Sequence, residues 1–181
     1  EEFLVTIQDD SSDEDDARLR RLVPRREQQW TPHFHEQINM GVKTFRFTSC
    51  GETVEVFLDY HRHGTGSSVW DSAVVLMGFF ENTEYFPQGF WTGKRVLELG
   101  AGTGIVGLLT AKLGAAHVVL TDLGDIVQPL AANIELNRAS LAPSTSVAAL
   151  EHLWGTSTEP LGPPFDVVLC ADCLLPYAQE A

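Results

Sequence analysis

This sequence predicts an α/β fold with a mostly parallel, doubly wound sheet, and three observations carry that prediction. From Arg95 onward short apolar runs alternate with segments of helical periodicity, which is how βαβ units are written. Between the first such run and its helix stands Gly100-Ala101-Gly102-Thr103-Gly104, a glycine-rich strand-to-helix turn. Ahead of both, residues 44–60 alternate with period two, as hairpin strands do. The expected arrangement is Rossmann-like, with helices on both faces, stopping after its fourth strand and preceded by an N-terminal β-hairpin.

Taken in order, residues 1–26 read as an acidic disordered tail followed by a basic patch, and residues 27–181 as the folded part. Gln8 to Asp16 is polar and self-repelling, with too little apolar surface to offset the entropy of ordering it. Phe45 and Phe47 share one face of the first hairpin strand; Cys50-Gly51-Glu52 makes the turn, and Val54, Val56 and Leu58 face the same core. Ser68-x-x-Asp71 has the form of a capping box, and Ala73, Leu76, Met77 and Phe80 follow at helical spacing, which predicts a helix from Trp70 to Asn82. Arg95–Leu99, His117–Thr121, Ser146–Leu150 and Phe165–Cys170 read as four buried strands. Gly104–Leu113, closed by Gly114, and Ile126–Asn137 read as the helices between the first three.

The composition narrows the function. Twelve Lys and Arg against 25 Asp and Glu give a net charge of −13, which opposes broad nucleic-acid binding. Eight of those acids lie in the first 16 residues, so only −5 falls on residues 17–181. A mean hydropathy of −0.04 and the lack of a long apolar run argue against a membrane span. Three cysteines do not make a disulfide framework, and no signal-peptide pattern opens the chain, so a cytoplasmic or nuclear protein, favoured as a monomer, is expected.

The chemistry is concentrated in Val96-Leu97-Glu98-Leu99-Gly100-Ala101-Gly102-Thr103-Gly104. A carboxylate near the end of a strand, glycines that let backbone approach a ligand closely, and a helix N-terminus with free N–H groups together make a binding site. Gly102-x-Gly104-x-x-Gly107 also satisfies a dinucleotide pattern, so an NAD-dependent oxidoreductase stands as an alternative. That register starts two residues late, and Glu98 would set a negative charge beside a pyrophosphate. Glu98 suits a ligand with a cationic amino-acid end, and Asp122, at the end of the next strand, suits a ribose. S-adenosylmethionine has both, and no metal is implied.

The motifs Val69-Trp70-Asp71-Ser72-Ala73, Glu98 to Gly107, Leu120-Thr121-Asp122-Leu123, Asn133-x-x-x-Asn137, Leu153-Trp154-Gly155 and Phe165 to Asp172 occur in an order that resembles one known family. It is the seven-strand (class I) S-adenosylmethionine-dependent methyltransferases, in particular the methyltransferase-like protein-lysine methyltransferase group. The resemblance implies that Trp70 borders the cofactor, Gly100, Ala101 and Gly102 wrap its amino-acid and ribose part, Asp122 binds the ribose hydroxyls, Trp154 packs on the adenine and Ala171 contacts it. It also implies a lysine-bearing protein substrate, with Asp172 as the catalytic residue that orients the amine. Asn133 and Asn137, four apart on one helical face, read as structural.

The chain departs from the family after the fourth strand. Where the family carries Asp-x-x-Tyr, this sequence reads Asp172-Cys173-Leu174-Leu175-Pro176-Tyr177, with Leu175 in the tyrosine position. Together with the count of four strands where the family has seven, this keeps a second alternative in view, a non-catalytic module that binds partners. Cys170-x-x-Cys173 reads poorly as a redox motif, because Cys170 is expected inside a buried strand. His33, His35, His61 and His63 are expected to be solvated in loops or strand-like segments.

Overall fold

The computed structural model describes residues 40–47 and 50–173, with the backbone of three two-residue extended pieces at 2–3, 6–7 and 29–30. The acidic run, the basic patch, His33, His35 and the segment from Leu174 to Tyr177 lie outside the described residues. The hairpin forms as expected, from β1 (Met40–Phe47) and β2 (Glu52–Asp59), with Phe45 opposite Val54 across the antiparallel register. A single helical turn, Tyr60–His63, and a 3₁₀ turn, Gly64–Ser67, lead to α1 (Asp71–Phe80). His61 and His63 therefore stand on a helical turn, held at its start by Asp59 Oδ1 accepting the N–H of Arg62 at 3.2 Å.

The capping box does not form. Trp70 is the N-cap of α1, and the Ser68 hydroxyl is buried with no hydrogen-bond partner among the described residues, because the chain turns into the helix two residues later than the pattern suggests.

A parallel sheet follows, from β3 (Arg95–Leu99), β4 (His117–Asp122), β5 (Ser146–Glu151) and β6 (Val167–Cys170), in the order β5-β4-β3-β6. α2 (Ile105–Lys112) and α3 (Gly124–Asn137) make the first two crossovers. Both crossovers run the same way, so right-handedness puts both helices on one face. Gly107 of α2 packs on Val118 and Leu120, and Gly104, the N-cap of α2, lies against Leu120 and Leu130 of α3. On that face Val96, Val118, Leu120, Val147 and Leu169 are buried. The opposite face carries no helix among the described residues, and Val168 there is 56% exposed.

Helix α2 explains the thickness of the molecule. Every residue from Ile105 to Ala111 is buried, and a helix apolar all round must be covered on both sides. The sheet covers one side; the hairpin, through Phe45, Phe47, Val54, Val56 and Leu58, joins the same core from the other. No helix among the described residues is long and apolar enough to cross a membrane.

Candidate functional site

The strand order reverses between β3 and β6, and in open parallel sheets ligands bind beyond the strand ends at such a point. The two segments emerging there are Gly100–Gly104 and Ala171–Cys173. The Gly100 loop is tied to its neighbour strand by Ala101 N–H donating to the Thr121 carbonyl at 2.9 Å and by the Thr121 hydroxyl donating to the Glu98 carbonyl at 2.8 Å. Gly100 and Gly102 both take positive φ, 59° and 52°, where a side chain would be strained. A Cβ at Gly102 would stand 3.0 Å from the Gly66 carbonyl, and one at Gly100 would stand 2.8 Å from Cys173 Sγ.

Glu98 is 3% exposed, and its Oε2 accepts the N–H of Gly107 at 2.8 Å, one of the N–H groups that the first turn of α2 leaves open. Burial pushes its carboxyl up to about 8, against the lowering effect of the Gly107 bond and with a further rise from Asp122. The side chain therefore favours its protonated form at neutral pH over the fixed negative charge expected from the sequence. Gly107 is required here for space: a Cβ would meet Leu120 and would lie 2.7 Å from Glu98 Oε2. Dinucleotide loops use the same kind of glycine contact, so Gly107 does not separate the two cofactor readings.

Asp122 ends β4 with both carboxylate oxygens engaged by main chain. Oδ2 accepts Gly102 N–H at 2.7 Å and Oδ1 accepts Leu123 N–H at 2.8 Å. Each oxygen keeps a second lone pair, so the carboxylate can clamp the loop and still accept a ligand hydroxyl.

The remaining predicted residues gather around this loop. Trp70 is half-buried, and its indole Nε1 donates to the Thr65 carbonyl at 3.1 Å, one residue before the Gly66 carbonyl that packs on Gly102. Trp154 is 47% exposed, and its Cζ2 would lie 3.8 Å from a Cβ on Gly100. Ala171 is half-buried beyond the end of β6, and Asp172 is exposed. Asp172 is the one non-glycine residue with positive φ (58°) among the described residues, a conformation that Asp tolerates at modest cost and that turns the chain back over the loop.

Three contributors escape the sequence reading. The Gly64–Ser67 turn closes on the glycine loop, for which Gly64-x-Gly66 was the available signal. Cys173 donates its thiol hydrogen to the Leu99 carbonyl at 3.0 Å and sits on Gly100. Cys170, expected to be buried, is exposed because the described residues leave its face of β6 uncovered. Among the described residues, no group of His, Cys, Asp and Glu has the arrangement of a metal site.

Comparison with known proteins gives a consistent result. Residues 52–180 match the family model described as "Lysine methyltransferase". The chain is 39% identical over 127 residues to EEF1A lysine methyltransferase 3 of Xenopus tropicalis, covering 70% of this chain and 53% of that protein. It is 38% identical to Protein N-lysine methyltransferase METTL21A of Danio rerio (74% and 58% covered) and 33% identical to that of Mus musculus (78% and 65% covered). The matched regions thus amount to between about half and two thirds of the length of these relatives.

Proposed function

This chain belongs to the lysine methyltransferase family, and from that membership we propose that it binds S-adenosylmethionine at the Gly100 loop and serves methyl transfer to a lysine side chain of a protein. The observation that carries the proposal is the Asp122 carboxylate, which spans the N–H groups of Gly102 and Leu123 and keeps acceptor capacity for a further hydroxyl.

The residues fit the cofactor. The absence of side chains at Gly100 and Gly102 lets the Cys173 thiol and the Gly66 carbonyl close on the loop, so that the 64–67 turn and the segment after β6 wall the site around it. Glu98 is buried and ready to ionise beside an ammonium group, since an adjacent cation lowers a carboxyl pKa. Asp122 offers acceptors for ribose hydroxyls, and Trp154 presents a half-exposed ring for adenine. When bound, the cofactor supplies an electrophilic methyl group on a sulfonium.

The chain's own task is to hold and prepare the acceptor. A lysine with a pKa of ~10.4 is neutral in well under ~1% of molecules at pH 7, so the site must orient the free amine. Asp172, exposed just beyond the end of β6 beside the glycine loop's neighbour Cys173, is the residue we assign to that role. No covalent intermediate on the protein is needed; alignment of donor and acceptor supplies the rate. A monomeric cytoplasmic or nuclear protein fits this reading.

Methyl incorporation from labelled S-adenosylmethionine into a cell extract, blocked by Asp122→Asn, tests the proposal. Binding of S-adenosylhomocysteine with no incorporation would point to the non-catalytic module, and binding of NAD in its place would overturn the proposal.

A further inference from the structure

We propose that Cys170 and Cys173 form an oxidisable dithiol whose disulfide weakens ligand binding at the Gly100 loop. The gating half rests on the cofactor reading above; the dithiol half does not.

Both thiols converge on one residue. Cys170 is the last residue of β6 and is the register partner of Leu99. After Ala171 the chain reverses at Asp172, and Cys173 returns to donate its thiol hydrogen to the Leu99 carbonyl at 3.0 Å, with the Ala171 carbonyl at 3.4 Å. Both side chains thus stand at the same strand end, near enough for Cys170 to help raise the Cys173 thiol. A disulfide needs this proximity, and a two-residue separation across a reversal supplies it with little movement. The expectation that burial keeps Cys170 inert is overturned by its exposure among the described residues.

The division of labour is legible. Exposed Cys170 meets the oxidant first, and half-buried Cys173, whose thiol is raised chiefly by burial, follows as the resolving thiol, giving up its proton as it attacks. With hydrogen peroxide as oxidant, the Cys170 sulfur attacks one peroxide oxygen; an S–O bond forms, the O–O bond breaks, and the departing hydroxide leaves with the Cys170 proton as water. The Cys173 sulfur then attacks the sulfenic sulfur. The S–S bond forms, the S–O bond breaks, and the hydroxyl leaves with the Cys173 proton as a second water. Two thiols are oxidised by two electrons and one peroxide is reduced.

The consequence for the site follows from where Cys173 sits. Its sulfur stands against Gly100, where a Cβ would be 2.8 Å away, a position that Trp154 Cζ2 also approaches, at 3.8 Å. Forming the disulfide draws that sulfur off the Leu99 carbonyl and moves the segment that overlies the loop.

The test uses the 181-residue protein carrying Cys50→Ser, which removes the exposed thiol of the hairpin turn. After hydrogen peroxide and N-ethylmaleimide, the peptide holding both cysteines should be about 2 Da lighter than its dithiol form, closed to alkylation and restored by dithiothreitol. S-adenosylhomocysteine affinity by calorimetry should fall roughly tenfold on oxidation and recover on reduction. Cys170→Ser should keep the affinity of the reduced protein and lose the response to peroxide. Sulfinic acid at Cys170 with Cys173 still alkylatable would overturn the dithiol, and a disulfide that leaves affinity unchanged would overturn the gating. If the reduced protein binds no S-adenosylhomocysteine, the cofactor reading and the gating fall together, and the mass shift alone decides the dithiol.

Discussion

Asn133 holds the main chain of Phe57 as a neighbouring strand would: its Oδ1 accepts the Phe57 N–H at 2.7 Å, and its Nδ2 faces the Phe57 carbonyl at 3.4 Å. Asn137 repeats the grip on Glu55, at 3.0 and 2.6 Å, and Ser67 Oγ takes the N–H of Asp59 at 2.7 Å. Three successive inward N–H groups on the open edge of β2 are thus satisfied by side chains, which docks the hairpin and closes an edge that would otherwise invite pairing. Asn133 Nδ2 also donates to the Thr103 carbonyl at 3.1 Å, so one amide links the hairpin to the glycine loop.

Replacing Asn133 by Ala should therefore cost about 2–3 kcal/mol, because it leaves buried backbone groups unpaired at both ends. Urea denaturation would measure it. Asn133→Asp keeps the acceptor for Phe57 and loses the donors, so its midpoint should fall between those of the parent and the Ala variant. Equal midpoints for the Asp and Ala variants would show that the Phe57 bond contributes nothing.

Glu98 predicts a pH dependence. Its folded pKa, at about 8, lies above the ordinary value of 4.5, so the folded state binds the extra proton across that window. Stability from this group is then greatest below about pH 4.5 and declines as pH rises toward 8, by up to ~4 kcal/mol. Glu98→Gln keeps an oxygen for the Gly107 N–H and removes the titration. Thermal melts from pH 5 to 8 should show the variant gaining on the parent at each step; parallel curves would mean Glu98 is ionised throughout.

Gly107 tests the packing of α2 on the sheet. Alanine favours a helix by about 1 kcal/mol over glycine, yet its Cβ here would collide with Leu120 and press on Glu98 Oε2. Gly107→Ala should lose ~1–3 kcal/mol in spite of the propensity gain. A stabilised variant would mean that Leu120 has room to rotate away.

Trp154 and Asp122 separate binding from folding. With 47% of Trp154 exposed, Trp154→Ala should shift stability by less than ~1 kcal/mol while weakening S-adenosylhomocysteine binding roughly tenfold. Asp122→Asn offers one acceptor oxygen where two N–H groups, of Gly102 and Leu123, each need one. It should weaken binding at least as much and also lower the melting temperature. Unchanged affinity in Trp154→Ala would remove Trp154 from the site.

The elements of this protein are written locally, and so they are legible in its sequence. Alternation over residues 44–60 determines the hairpin register, four short apolar runs determine the parallel strands, and Gly100 to Gly104 determine the turn that makes a ligand site. Glu98, Asp122 and Trp154 could be singled out because their residue types are unusual for their places on strand ends and in a loop. Tertiary structure alone decided what these groups touch. That Glu98 keeps a proton depends on its enclosure under α2, and that Asn133 and Asn137 serve the hairpin depends on α3 lying along β2, contacts between residues 76 and 82 apart in the chain. The exposure of Cys170 and the return of Cys173 to the Leu99 carbonyl depend on which face of β6 is covered and on a reversal at Asp172, a matter of sheet order and one backbone angle that no local pattern encodes.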